Sequence, residues 1–440
     1  MFGDAVAVGA LTSAAKLAGA AKLMVTARFF GNSDALDAFL IAFLLPSFLS
    51  DVVAGSFTPS LVPLLVRTQT TGGMEAAHHV TRAALAFALS GMLVATAGLG
   101  LTGHWLLPLA GSSFSAGKMH LATALFFGLL FWLPMSACIA TWRAVLNANG
   151  SFALAAIAPL ATPLATIVLL YMLARQYGVA VVGVGTVGGA AIECFLLALA
   201  VRRMGYPIRP MWPGWNRQSW RNPVLESLRE QYLPLAASAI LLSASVVVDQ
   251  SVAGRLGPGQ VSALVYGNKL AAVLLAVIAS AAGTAVLPVF ARLAAAREWG
   301  RLRRSVLVYS GSITLLTAPL TVVLVLFSGA LVRAFFEHGA FQSAATQLVT
   351  RMQRFALLQA PGAILLAIAS RLTTALSANR LLVWMGASAL IADVVLDVVF
   401  SRWMGVAGIA LSTPVVQCVS LGVLVWLLHR HEPRLFSGRA

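Results

Sequence analysis

Charge is what this chain has least of. Only 10% of its 440 residues are Asp, Glu, Lys or Arg, 59% are hydrophobic, and the mean hydropathy is +0.88. Soluble chains run near a quarter charged, so an ordinary soluble enzyme is excluded and lipid is the solvent for most of the sequence. Acid is scarcer than base. Fourteen Asp+Glu face thirty Lys+Arg, a formal charge of +16, but the basic residues sit in short loops between long apolar runs and form no single polar face, so no nucleic acid partner is expected. The three cysteines, Cys138, Cys194 and Cys418, all lie inside apolar segments. That leaves neither a disulfide framework nor a CxxC metal site and makes them core residues. No GxxxxGK(S/T) phosphate loop occurs, so nucleotide hydrolysis of the P-loop kind is not the energy source. The seven histidines (His78, His79, His104, His120, His338, His429, His431) show no HExxH spacing and read as solvated or interfacial. With no cluster of acids, bases and nucleophiles, the expectation is a transporter without a cofactor and not an enzyme.

What is there instead is a series of apolar windows, each long enough to cross about 30 Å of hydrocarbon in about 20 residues. Twelve are expected, at 5–30, 34–66, 78–107, 119–147, 152–174, 179–201, 231–254, 260–291, 304–328, 344–376, 380–400 and 403–428. No basic stretch precedes the first window, so it is expected to stay in place and not to be cleaved as a signal peptide. Lys and Arg in short loops set orientation. With a cytoplasmic N-terminus, nineteen fall on the cytoplasmic side, Arg143 among them, against eight outside. Both termini are therefore expected in the cytoplasm of a multi-pass bacterial inner-membrane protein. The longest connection, 204–230, carries Trp212, Trp215 and Trp220 among arginines and prolines. It reads as an interfacial linker on anionic membrane lipids, and binding of a protein partner is the other reading.

The sequence also repeats itself. Ala38 and Pro63 map to Ala263 and Pro288 at an offset of 225, and Ala180-Val181-Val182-Gly183 maps to Gly405-Val406-Ala407-Gly408 at the same offset. Leu146-Asn147-Ala148-Asn149 matches Leu376-Ser377-Ala378-Asn379 at 230. The expected fold class is thus an all-α polytopic membrane protein of about 12 transmembrane helices. They form two six-helix bundles related by a pseudo-two-fold axis normal to the membrane, with a cleft between them. The bundles are 1–203 and 231–430, joined by 204–230 and followed by a tail at 431–440. Gly183-x-Gly185-x-x-Gly188 matches a dinucleotide fingerprint but lies in an apolar span, where small residues serve close helix packing.

A charge at the bilayer centre costs roughly 3 kcal/mol on insertion scales, so charged residues inside spans are the functional pointers. Lys16, Lys22 and Lys269 would attract a phosphate or pyrophosphate from the cleft. Lys16 and Lys22 stand about 120° apart on an ideal helix, so both face one cavity only if the helix bends, with Gly19 as the hinge; the alternative is internal pairing, with Asp37 the obvious partner. Asp51 and Glu193 read as interfacial or pairing residues. Asp393 and Asp397, four apart, share a helix face and would repel unless a proton or cation lies between them. Asp249 could complete an oxygen cage for Na⁺ or H⁺, the coupling ion.

With those residues identified, the chain resembles the lipid II flippase MurJ (MviN) family of the multidrug/oligosaccharidyl-lipid/polysaccharide exporter superfamily. The resemblance rests on Ala27-Arg28-Phe29-Phe30-Gly31, Asp37-Ala38-Phe39, Gly55-Ser56-Phe57, Tyr266-Gly267-Asn268-Lys269-Leu270 and Phe336-Glu337-His338-Gly339-Ala340-Phe341. It implies an alternating-access flippase for an undecaprenyl-pyrophosphate-linked saccharide, with lipid II the first choice. Lys16, Lys22 and Lys269 would hold the pyrophosphate, and Arg28 and Asp37 would be polar cavity residues. It also implies a Na⁺ site at Asp249, Asp393, Asp397 and Thr413 with a main-chain oxygen near Ile409. Three departures stand out: Lys replaces Arg in the cavity, giving up the bidentate fork; Ser50-Asp51 and Ala54 replace a basic and an acidic residue; and the sequence has twelve spans where many relatives have two more. Rival readings are an exopolysaccharide or O-antigen lipid-linked oligosaccharide flippase, a cation-coupled multidrug exporter, and a non-transporting scaffold that recruits cell-wall or polysaccharide enzymes through 204–230.

Overall fold

A computed structural model describes residues 2–211, 223–376 and 378–435. Among them there is no strand. In hydrocarbon an open chain can satisfy its backbone only within helices, and the described residues do so almost throughout. By length and composition nine helices among the described residues can cross a membrane. The first of these, α2 (Asp34–Ala110), is 77 residues long and consists of two arms meeting at Gly73. There the backbone takes φ 75° and ψ −171°, open to a glycine and strained for any other residue. Two further continuous helices, α1 (Phe2–Phe30) and α9 (Gln260–Ala295), complete twelve helical arms, one for each expected span.

Prolines account for breaks the sequence windows missed. The span expected at 119–147 is α3 (Ala116–Leu129) and α4 (Trp132–Ala148); Pro134 cannot donate to the Leu130 carbonyl, so the ladder lapses there. The next span is α5 (Phe152–Ile157), a 3₁₀ turn over Ala158–Leu160 and α6 (Ala161–Tyr177), with Pro159 and Pro163 in the same role. The chain continues through α7 (Ala180–Arg203), α8 (Pro223–Ala253), α10 (Trp299–Phe336), α11 (Ser343–Ala375), α12 (Arg380–Met404) and α13 (Val406–His431). The 24 residues of α7 reach about 36 Å at 1.5 Å per residue.

Two compact units form, Met1–Ser243 and Ala244–Ala440, the division falling inside α8. In the first, α2 packs along α4, α6 along α7, and α1 along α5 and α6. The α6–α7 seam is close because Gly185 and Gly189 stand where a Cβ would strike the backbone of Thr166 and Thr162. The useful spacing is thus four, Gly185 to Gly189, and of the fingerprint glycines Gly188 has nothing within 4 Å. This is small-residue helix packing, as expected, with a shifted register. In the second unit α11 is central, against α9, α10 and α13, around Phe290, Ile364, Leu372, Leu424 and Leu428. Outward faces stay apolar, as with Leu315 and Trp403, 78% and 81% exposed, which is what lipid favours.

The repeat is visible in two helical hairpins. Gly178 (φ 57°, ψ −143°) ends α6 and Gly405 (φ 63°, ψ −143°) ends α12. The matching sequence is Gly178-Val179-Ala180 with Gly405-Val406-Ala407, an offset of 227, so the register of 225 read from the sequence is two residues short here.

Candidate functional site

The three acidic residues singled out by position come together. Asp393 and Asp397 on α12 and Asp249 on α8 bring carboxylate oxygens within 4.8 Å of one another, all inside the second unit. Asp393 and Asp397 are buried, the latter fully. One oxygen on each, Asp249 Oδ1, Asp393 Oδ2 and Asp397 Oδ2, is buried with no hydrogen-bond partner. Three such oxygens in low dielectric demand compensating positive charge, and oxygen-only donors suit Na⁺ or a shared proton. Ser412 on α13, fully buried, donates to Asp397 Oδ1.

Ser412 was missed in the sequence, although it stands beside Thr413 and two before Pro414 in α13. Its hydroxyl also contacts the Ile409 carbonyl at 2.7 Å. The expected main-chain ligand near Ile409 is therefore already engaged by a neighbour; Pro414, lacking an N–H, leaves the Ala410 carbonyl without its helical donor instead. Thr413 is half-buried on α13.

The basic residues divide between the units. Lys22 is half-buried on α1 and donates to Thr186 Oγ1 on α7 at 3.3 Å. Lys16 on the same helix is exposed. The helix is continuous through Gly19. Lys269, on α9 of the second unit, is exposed and follows Asn268, whose Oδ1 is buried without a partner. Arg28 is exposed in the last turn of α1. Asp37, fully buried, pairs with Lys118 at 3.6 Å, and Lys118 reaches Asp34 at 2.5 Å while lying over the Phe114 ring. A lysine from the start of α3 is thus a partner of Asp37 that the sequence did not mark. Asp51 is exposed and Glu193 buried.

One histidine departs from expectation. His78 packs edge-on against Tyr206 at 4.9 Å, with Nε2 buried and unpartnered. Tyr206 is itself buried, taking a bond from Gln69 (2.6 Å) and donating to Asn149 (3.2 Å). The start of the linker is thereby fastened to protein at Tyr206. Trp212, Trp215 and Trp220 lie outside the described residues.

Comparison with known proteins gives one family. Its model, described as lipid II flippase MurJ, matches residues 26–439. The lipid II flippase MurJ of Burkholderia cenocepacia is 26% identical over 96% of this chain and 82% of its own length. The probable lipid II flippase MurJ of Vibrio cholerae is 24% identical with the same coverage of both chains. Among solved structures, a lipid II flippase MurJ in an inward closed conformation matches with a TM-score of 0.81 at 20% identity, covering 96% of this chain and 87% of that one. An inward-facing multidrug resistance MATE transporter of the MOP superfamily matches with 0.77 at 14% identity, covering 99% of this chain and 100% of that one. These structures establish the fold.

Proposed function

Because the chain belongs to the lipid II flippase MurJ family, we propose that it carries lipid II, the undecaprenyl-pyrophosphate-linked peptidoglycan precursor, from the inner to the outer leaflet of the bacterial inner membrane. The observation that carries this reading is the family match across residues 26–439. The helices long and apolar enough to span suit a multi-pass transporter. A drug exporter has only likeness of fold behind it, at 14% identity.

In this reading Lys16 and Lys22 of the first unit and Lys269 of the second attract the pyrophosphate as point charges. The lipid tail stays in the bilayer. A bound cation supplies charge neutralisation, and Asp249, Asp393 and Asp397 would hold it, with Ser412 orienting Asp397 and Thr413 beside it. Their orphaned buried oxygens fit that role. Cation occupancy then biases which side of the membrane the transporter opens to, since a ligand shifts an equilibrium by its differential affinity for the two states. The distribution of loop arginines supports both termini in the cytoplasm.

Rescue of cells depleted of their lipid II flippase tests the proposal. Wild type restores growth, and Lys269→Ala at equal membrane abundance does not. Failure by the wild type moves the cargo to another polyprenyl-linked glycan, whereas rescue by Lys269→Ala removes that lysine from the mechanism.

A further inference from the structure

Loop counting assigned Arg143 to the cytoplasmic side as a topology residue. It lies in the last turns of α4, half-buried, five residues before the helix ends. Arg143 lines a cavity of about 510 Å³ within the first unit, between α1, α2, α4 and α5. A volume of this order is typical of small-molecule sites. Thr12, Thr58 and Asn147 also line it, supplying two hydroxyls and an amide.

Pro59 and Pro63 of α2 complete the polar character in a less obvious way. Both line the cavity. Neither can donate to the carbonyl four residues earlier, so the Gly55 and Pro59 oxygens lack their helical donors on that same side of α2. Cation, hydroxyls, amide and free carbonyls together make a polar corner for an anionic, hydroxyl-rich group in a lining otherwise of Pro, Val, Phe and Ala. No hydrogen bond or ion pair holds Arg143 among the described residues. The acid it feels is Glu193 on α7, buried with Oε1 unpartnered.

We infer that this cavity is a second headgroup subsite, in which Arg143 donates to a phosphate oxygen of the lipid-linked saccharide while Thr58 and Asn147 meet its hydroxyls. The inference rests on the flippase reading and adds a position to it. Arg is suited to the task because its planar fork binds phosphate bidentately, which none of the three lysines can do. The rival role is that Arg143 serves only to balance Glu193.

Binding to the full-length protein in detergent, followed by native mass spectrometry, separates these. The probes are undecaprenyl pyrophosphate, its disaccharide-linked form and phosphatidylglycerol. Arg143→Gln is expected to weaken both pyrophosphate probes at least tenfold and leave phosphatidylglycerol retention unchanged. Arg143→Lys, which keeps the charge should Gln prevent folding, falls between. Thr58→Val weakens the disaccharide form alone. Glu193→Gln leaves binding intact or tightens it. If wild type binds the pyrophosphate probes and Arg143→Gln and Arg143→Lys bind them equally well, the subsite is refuted and the flippase reading stands. Loss confined to phosphatidylglycerol makes the cavity an ordinary phospholipid site and also refutes it. Absence of binding by wild type overturns the flippase reading itself.

Discussion

Replacing Asp397 with Asn is the perturbation that most directly tests the acidic site. Carboxylate oxygens of Asp249, Asp393 and Asp397 lie within 4.8 Å of one another. At that separation, and an effective dielectric near 20, each ionised pair repels by about 3–4 kcal/mol. Asp397→Asn removes two such pairs and keeps the shape, so without a compensating cation the variant is at least as stable as wild type. Loss of an ordinary buried polar contact would do the opposite. Sodium reverses the order: a ligand at 100 times its Kd stabilises by about 2.7 kcal/mol, roughly 5–10 °C in Tm at about 2–4 °C per kcal/mol. Wild type should gain that much on exchanging choline for sodium, and Asp397→Asn should gain nothing.

Ser412→Ala isolates the orienting hydroxyl. A hydrogen bond to a charged group is worth about 1.5–3 kcal/mol, so the sodium midpoint should shift upward at least tenfold with the maximum gain preserved. The assay is thermal unfolding of the purified protein across sodium concentrations at fixed ionic strength. An Asp397→Asn variant that keeps the full sodium gain refutes the cluster as a cation site. A wild type indifferent to sodium but responsive to pH assigns the coupling to protons.

Three further substitutions test the packing. Gly185→Ala places a Cβ 2.7 Å from the Thr166 Cα, and pushing α6 from α7 costs about 1–3 kcal/mol. Gly188→Ala, with nothing within 4 Å, should be neutral or stabilising by up to about 1 kcal/mol. Equal thermal stability of the two variants would contradict the assigned seam. Tyr206→Phe removes the hydroxyl shared by Gln69 and Asn149, a loss of about 1–2 kcal/mol, and should hasten proteolytic cleavage near residues 204–211. An unchanged cleavage rate would mean the linker is anchored elsewhere.

The parts of this molecule that were legible in its sequence are those where lipid penalises the alternative. Asp249, Asp393 and Asp397 were readable because carboxylates inside apolar windows are costly and must have company. The company of Lys22 was not readable. Thr186 is one of many span hydroxyls that bond their own helix, here to the Val182 carbonyl, and nothing local marks it as the one a lysine reaches. Ser412 was hidden in the same way. The cavity-lining position of Arg143 was not readable, because which side chains line a cavity depends on how α1, α2, α4 and α5 pack, while hydropathy reports only the run of apolar residues. Of the fingerprint glycines Gly185 belongs to the close approach, which continues through Gly189, while Gly183 and Gly188 satisfy the pattern without meeting the α6 backbone.

The acidic site and the Gly405 hairpin account for each other. Asp397 lies eight residues before Gly405 and Ser412 seven after it, so at 1.5 Å per residue they stand about 12 and 10.5 Å from the same turn on adjacent helices. Hydrogen bonding between them follows from that register. The register is held tightly, because Gly408 stands where a Cβ would collide with the Phe400 carbonyl. Two of the three carboxylates and their hydroxyl thus belong to one fixed element. Asp249 does not: it is carried by α8, the helix within which the first unit ends and the second begins. A cation shared by all three therefore ties α8 to the hairpin, and its departure leaves Asp249 repelled by what had held it. In the proposed cycle, that change at α8 is the step through which ion binding does mechanical work.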